Sequence, residues 1–191
     1  LENLDKIYDN FSPTNKRQIK KAKKNKIKIE EENDINKFLY LQDKTFKRQN
    51  YFNFNKKKYL IKIDNFLKKE NKRKIFVACD EFGKYHSGVY ITWDNNVCYY
   101  LMGGGDPALR NSGAGNLCMW HAIKFASTVT KSFDFEGSMI KSIDQFFRKF
   151  GAEPKQYFSI TKVNSIFYIL ALFIKPIFKK MISKCLKIFN I

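Results

Sequence analysis

The sequence predicts a mixed α/β fold in which a central, mostly antiparallel sheet is flanked by helices. Three observations predict it. Strand-like runs Ile75–Asp80, His86–Trp93 and Val97–Met102 follow one another across turns containing Gly83 and Asp94-Asn95-Asn96, the pattern of an antiparallel meander. An unbroken apolar helix pattern, Leu117–Val129, follows the meander after a glycine-bearing loop, Arg110-Asn111-Ser112-Gly113-Ala114-Gly115. Beyond that helix, strand and helix patterns alternate again.

The other elements follow in chain order. Residues 14–24 read as a lysine-rich helix, with eight basic and no acidic residues from Lys16 to Lys28, and Ile27–Glu31 as a strand after it. Asp34 is a cap for a helix that runs to about Arg48, with Ile35, Phe38, Leu39 and Phe46 on one face. Tyr59, Leu60, Ile63, Phe66 and Leu67 mark another helix, which ends in the polar run Lys68–Lys74. Gly103-Gly104-Gly105 reads as a flexible connection after the third meander strand, or as a plain turn. Ser132–Ser138 alternates aromatic and acidic residues as a short strand, which places Asp134 and Glu136 on one face and Phe133 and Phe135 on the other. Ile140, Ile143, Phe146, Phe147 and Phe150 recur at helical spacing and stop at Gly151, and Gln156–Lys162 reads as a last strand.

Strand, glycine-bearing loop and helix form a layout that binds pyrophosphate through backbone N–H groups at a helix N-terminus. Gly113 and Gly115 can take positive φ and lack a Cβ, so their amides can approach a phosphate oxygen closely, and Arg110 adds a charged donor. The alternative is a surface loop with a helix start, capped by Ser112 or Asn116. On the phosphate reading, Gly113→Val with Gly115→Val abolishes ligand binding and leaves the fold intact, since both glycines sit in a loop.

The spacing R-x-x-G-x-G resembles the coenzyme A pyrophosphate loop of GNAT acyltransferases. The order of elements is also the GNAT order. Within that superfamily the chain resembles the FemAB-like branch of peptidoglycan aminoacyltransferases and related acyl-CoA N-acyltransferases. The matching pieces are Leu117-x-x-Trp120-x-x-Ile123-x-x-Ala126, Phe133-Asp-Phe-Glu-Gly-Ser138, Phe146-Phe-Arg-Lys-Phe-Gly-Ala152 and Tyr157-x-x-Ile160-x-Lys162. Arg17-Gln-Ile-Lys-Lys-Ala22 is similar to the segment where the family's second GNAT-like unit begins. The resemblance implies a GNAT-like domain over residues 1–162, the C-terminal part of a longer protein with a further GNAT-like half before Leu1.

It also implies an N-acyltransferase that moves an acyl group from acyl-CoA, such as acetyl-CoA, to an amine on a cell-envelope precursor, without a metal. Arg110, Asn111, Ser112, Gly113, Ala114, Gly115 and Asn116 would hold the co-substrate. Glu136 or Asp134 would take the proton from the acceptor ammonium, and the resemblance further implies Tyr100 or Tyr99 as proton donor to the leaving thiolate. For the acids the alternative is helix capping or pairing with a lysine. Other readings stay open: an aminoacyl-tRNA-dependent peptidoglycan transferase, or a non-catalytic basic module that binds nucleic acid or membrane.

Composition bounds these readings. The formal charge is +18, yet 31 of the 36 basic residues are lysine and five are arginine, a mix that points to coding bias more than to phosphate or base readout. A field this positive still attracts coenzyme A, tRNA or an anionic membrane. Cys79, Cys98, Cys118 and Cys185 show no close pairing and sit in apolar patterns, which reads as reduced, core-filling usage in a cytoplasmic chain. His86 shows no sequence partner, His121 within its apolar helix is either a further candidate base or a hydrogen-bonded core residue, and no metal-ligand spacing exists. The tail, 163–191, opens with 12 uncharged residues, too few to span a bilayer, and has no acidic residue. It reads as a basic amphipathic helical tail that either packs on the domain or lies on an anionic membrane at the inner face, where a lipid-linked amine acceptor would be met.

Overall fold

The computed structural model describes residues 1–48, 56–158, 160, 162 and 164. Leu1–Pro154 forms one compact unit and Lys155–Ile191 another. The first unit holds helices α1 (Leu4–Asp9), α2 (Pro13–Lys24), α3 (Ile35–Arg48), α4 (Lys56–Lys69), α5 (Ala114–Val129) and α6 (Lys141–Arg148). Its strands are β1 (Lys28–Glu31), β2 (Arg73–Cys79), β3 (Tyr85–Trp93), β4 (Val97–Gly105) and β5 (Ser132–Asp134), in sheet order β1-β2-β3-β4-β5. The first three pairings are antiparallel and β4 pairs with β5 in parallel, the crossover being α5. The sequence-predicted class therefore holds.

Local chemistry sets the helix ends. Ser12 Oγ accepts the Asn15 N–H at 3.2 Å, Pro13 occupies the first turn, and lysines 21, 23 and 24 close the last turn of α2. Asp34 Oδ1 accepts the Asn36 N–H at 2.9 Å at the start of α3, as its capping role predicts. The apolar stripes then bury two layers. Phe76, Ala78, Val89 and Ile91 pack with α5, α2 and Phe147 and Phe150 on one face of the sheet. Ile75, Val77 and Tyr90 pack under α3 and α4 on the other.

Several expectations are corrected. Gly103-Gly104-Gly105 is not a loop but the end of β4, paired with Val89, Gly88 and Ser87. A Cβ at Gly104 would meet the Gln42 backbone nitrogen at 2.7 Å, so glycine there lets the backbone of α3 lie directly on the strand. The strand expected over Ser132–Ser138 stops at Asp134, where Asp134 Oδ1 accepts the Glu136 N–H at 2.7 Å and Glu136 takes φ +61. That side-chain turn breaks the pairing the alternation alone would extend. The described residues of the second unit carry no helix or strand, and Ser159 and Thr161 of the expected strand Gln156–Lys162 lie outside the described residues. The tail 163–191 and Cys185 lie outside them too, apart from Asn164; Cys79, Cys98 and Cys118 are buried free thiols. Among the described residues no helix is long and apolar enough to cross a membrane.

Asp106 ties α3 to the turn that follows β4: Lys44 Nζ donates to its Oδ2 at 2.7 Å, and its Oδ1 accepts the Ala108 N–H. The Lys44 hydrogen bond, and then that of Ala108, hold the Asp106 carboxyl below the ordinary aspartate range. A depressed carboxyl contributes stability that is present above its unfolded pKa and lost as pH falls through the folded value. Asp106→Asn is expected to shrink the loss of melting temperature between neutral and strongly acidic buffer; an unchanged loss would exclude Asp106 as a source of acid sensitivity.

Candidate active site

The site is built where β4 and β5 part. Their pairing runs through Val97–Tyr99 and Ser132–Asp134, after which Tyr100–Gly105 has no strand neighbour on the β5 side among the described residues. Opposite β3, Tyr90 pairs with Met102 and Ile91 with Tyr100, so Leu101 is an extra residue, a β-bulge. The bulge turns the alternation over: Tyr100 packs toward α5 and α6, whereas Met102 packs toward α3 and α4. A wedge of unpaired strand backbone results at the carboxyl ends of the parallel pair, where open α/β sheets take ligands.

The chain then passes through a 3₁₀ turn, Pro107–Ser112, into α5. Gly113 stands at the junction with φ +80, in the left-handed region, and offers α5 no side-chain cap. Ser112 Oγ accepts the Ala114 N–H at 3.3 Å, and Leu117 N–H returns to the Gly113 carbonyl. Among the described residues the N–H groups of Gly115 and Asn116 have no acceptor. Arg110 and Asn111 are exposed beside this turn.

Contrary to expectation, the two glycines differ. Gly115 has no positive φ; it lies in the first turn of α5, and a Cβ there would meet only Ser87 Oγ, at 3.5 Å. Gly113 is buried against α2, where a Cβ would collide with the Gln18 carbonyl oxygen and lie 3.3 Å from the Ala22 nitrogen. The double valine variant would therefore disturb the fold through Gly113.

Helix α2 supplies a group that the loop motif did not reveal. Asn15 is fully buried, its Oδ1 accepts Asn116 Nδ2 at 2.6 Å, and its own Nδ2 has no protein partner. The available signal was its place on the stripe Asn15, Ile19, Ala22, which is the buried face of α2. An orphan buried donor and two free amides beside Arg110 fit a phosphate-bearing ligand.

Tyr100 is partly buried, its ring meets Phe147 edge-on at 5.5 Å, and its hydroxyl lies over Gly103. Burial, then the neighbouring Cys118, pushes its phenol well up, so it carries its proton at neutral pH. Asp134 and Glu136 are exposed. As predicted, Phe133 and Phe135 pack on the opposite side, with rings 5.0 Å apart and Phe135 against Phe147. The acids do not line an apolar pocket; they gather with Asp94 about Tyr99, whose hydroxyl donates to Asp94 Oδ2 at 3.0 Å. That hydrogen bond, then burial and the charges of Asp94, Asp134 and Glu136, raise the Tyr99 phenol.

The histidines lie elsewhere. His121 packs against the Phe76 ring at 4.8 Å, and burial lowers its pKa. His86, for which the sequence offered no partner, has Nε2 3.1 Å from Asp80 Oδ2, a pairing made by the turn through Gly83. No group of three or more His, Cys, Asp or Glu that could hold a metal occurs among the described residues.

The fold is that of known acyl-transfer domains. FemX matches with a TM-score of 0.68 at 15% identity over 78% of this chain and 56% of its own. The chain thus spans little more than half the length of FemX. An aminoglycoside acetyltransferase from an uncultured soil metagenomic sample matches with a TM-score of 0.55 at 18% identity, over 72% of this chain and 97% of its own. The acetyltransferase AAC(6')-Iy, solved with a coenzyme A bisubstrate analogue, gives 0.53 at 11% identity over 73% and 99%. No curated protein matches in sequence. Residues 11–138 match the family described as acetyltransferase (GNAT) domain, and since that is well over half of the chain, the protein belongs to the GNAT acetyltransferase family.

Proposed function

We propose that the protein is an N-acyltransferase that moves an acyl group from acyl-CoA to an amine, on a cell-envelope precursor such as an amino sugar or a peptide. The observation that carries this reading is the fork between β4 and β5 in front of the uncapped first turn of α5. The amides of Gly115 and Asn116, with Arg110 and Asn15, suit the pyrophosphate, and the free edge of β4 suits the pantetheine amides. Family membership supports the acyl-CoA donor, as does the coenzyme A analogue bound by AAC(6')-Iy.

The charge distribution supports an amine acceptor. In a chain of formal charge +18, Asp94, Asp134 and Glu136 concentrate about Tyr99. Such a patch draws in an ammonium and takes its proton, directly or through water, with Glu136 and Asp134 as the bases. The free amine attacks the thioester carbonyl, and the N–C bond forms as the C–S bond breaks. The thiolate takes a proton from the Tyr100 hydroxyl, and the proton shed by the acylated nitrogen returns through water to that phenolate. Alignment within the fork supplies much of the rate, because the thioester is already activated.

Gly115→Glu tests the donor site. A Cβ fits there and a carboxylate at a helix N-terminus is favourable, so the melting temperature in buffer should hold or rise slightly. The same charge repels a pyrophosphate. Coenzyme A and acetyl-CoA should raise the melting temperature of the wild type, and the variant should lose that rise. A wild type that does not respond to coenzyme A, but shows a salt-sensitive rise with uncharged tRNA, would replace the acyl-CoA donor with aminoacyl-tRNA.

A further inference from the structure

Helix α4 carries a feature that acyl transfer does not use. Its inner face, with Leu60, Ile61 and Leu67, packs toward the sheet. Its outer face presents Tyr59, Ile63 and Phe66, at spacings of four and three, with exposures of 66%, 48% and 64%. Side chains of this kind normally turn inward, and three on one turn-spaced stripe make a contiguous apolar surface. Around it stand Lys57, Lys58, Lys62, Lys68 and Lys69, all exposed. The helix has one acidic residue, Asp64, which is buried and paired with Arg73. The outer face is thus apolar and basic with no exposed acid within the helix.

The stripe continues past the helix end. Phe66 and Leu67 form one wall of an open cleft of about 520 Å³, and Lys72 and Trp93 line it further. The rim of this cleft carries Glu70 and Asp94, both exposed, so the basic surface is that of the helix itself. A row of Tyr, Ile and Phe edged by lysines matches the boundary between acyl chains and anionic headgroups.

We infer that α4 is a membrane-docking helix that lies in the plane of an anionic bilayer, with Tyr59, Ile63 and Phe66 at the acyl boundary and its lysines among the headgroups. Charge complementarity selects this occupant over a zwitterionic surface, because each lysine near an anionic leaflet adds attraction that a zwitterionic one does not. The inference does not rest on the donor and acceptor proposed above, although Asp94 of the acceptor patch stands at the rim of the same cleft. It differs from the expectation placed on the tail, since the whole surface lies within the Leu1–Pro154 unit.

The test is flotation of the full chain with vesicles of phosphatidylcholine containing about 30% phosphatidylglycerol, and with pure phosphatidylcholine. Ile63→Glu with Phe66→Glu should lower partitioning into the anionic vesicles roughly tenfold, and pure phosphatidylcholine should bind the wild type about as weakly. Lys179→Glu with Lys184→Glu separates the tail: the loss caused by the α4 variant should persist in this background. Phe66→Trp provides a readout that does not depend on the double variant folding. Its emission should shift to the blue on anionic vesicles and be quenched by brominated acyl chains. Flotation unchanged by the α4 variant, or Phe66→Trp emission that ignores the vesicles, would overturn the inference. So would absence of flotation together with self-association abolished by the α4 variant, which would make the stripe a protein interface.

Discussion

Asp64→Ala should destabilise the domain by about 3–5 kcal/mol, because it strands a buried guanidinium. Arg73 Nε lies 3.0 Å from Asp64 Oδ1 as an ion pair without hydrogen-bond alignment, and both side chains are almost wholly buried. The remaining Arg73 donors reach the Glu32 and Asn33 carbonyls, at 3.4 Å and 3.0 Å, and these do not neutralise its charge. Tyr90 donates to the same Asp64 oxygen at 3.0 Å, so one carboxylate holds α4, β2 and β3 together. Urea denaturation should show the loss in full for Asp64→Ala. Tyr90→Phe, which removes one neutral donor, should cost about 1 kcal/mol. Replacing the pair with Asp64→Leu and Arg73→Met should recover most of the stability, since two apolar side chains need no neutralisation. A loss below that of Tyr90→Phe would mean that water reaches Arg73 when Asp64 is removed.

Gly113→Val should cost roughly 3–5 kcal/mol, through a strained left-handed backbone and a collision with α2. Two residues on, Gly115→Ala should be neutral or add up to about 1 kcal/mol, because that position is helical and open. The contrast is large enough for a pair of denaturation curves to decide. Equal effects at the two positions would show that α2 can lift off the start of α5 without cost. The comparison also fixes which glycine reports on ligand binding: loss of binding in Gly113→Val would merge with loss of structure, whereas Gly115→Glu keeps them apart.

The meander, the apolar α5 and the helices α2 to α4 were legible because their periodicity survives folding: what is apolar on the stripe is buried in the structure. Ile35, Phe38 and Leu39 are one such stripe, and Leu117, Ile123 and Ala126 another. The glycine run 103–105 misled because its composition reads as a turn, whereas the reason for Gly104 is the backbone of α3 lying on the strand, a contact made from about 60 residues away. The end of β5 misled for the opposite reason. Alternation continued through Glu136, but the Asp134 side chain captured the Glu136 N–H and turned the chain.

The sequence by itself determined the class of the fold, the order of its elements from α2 to α6 and the loop that starts α5, since all of these follow from local pattern and from residue types with strong backbone preferences. Tertiary structure decided the rest. It buried Asn15 beside Asn116, closed α2 over Gly113 while leaving Gly115 open, gathered Asp94, Asp134 and Glu136 about Tyr99, and left the stripe of α4 exposed among the described residues. Each of these depends on residues distant in the chain and on which face of an element meets a neighbour. A stripe in sequence states that a face is apolar, and only packing states whether anything covers it.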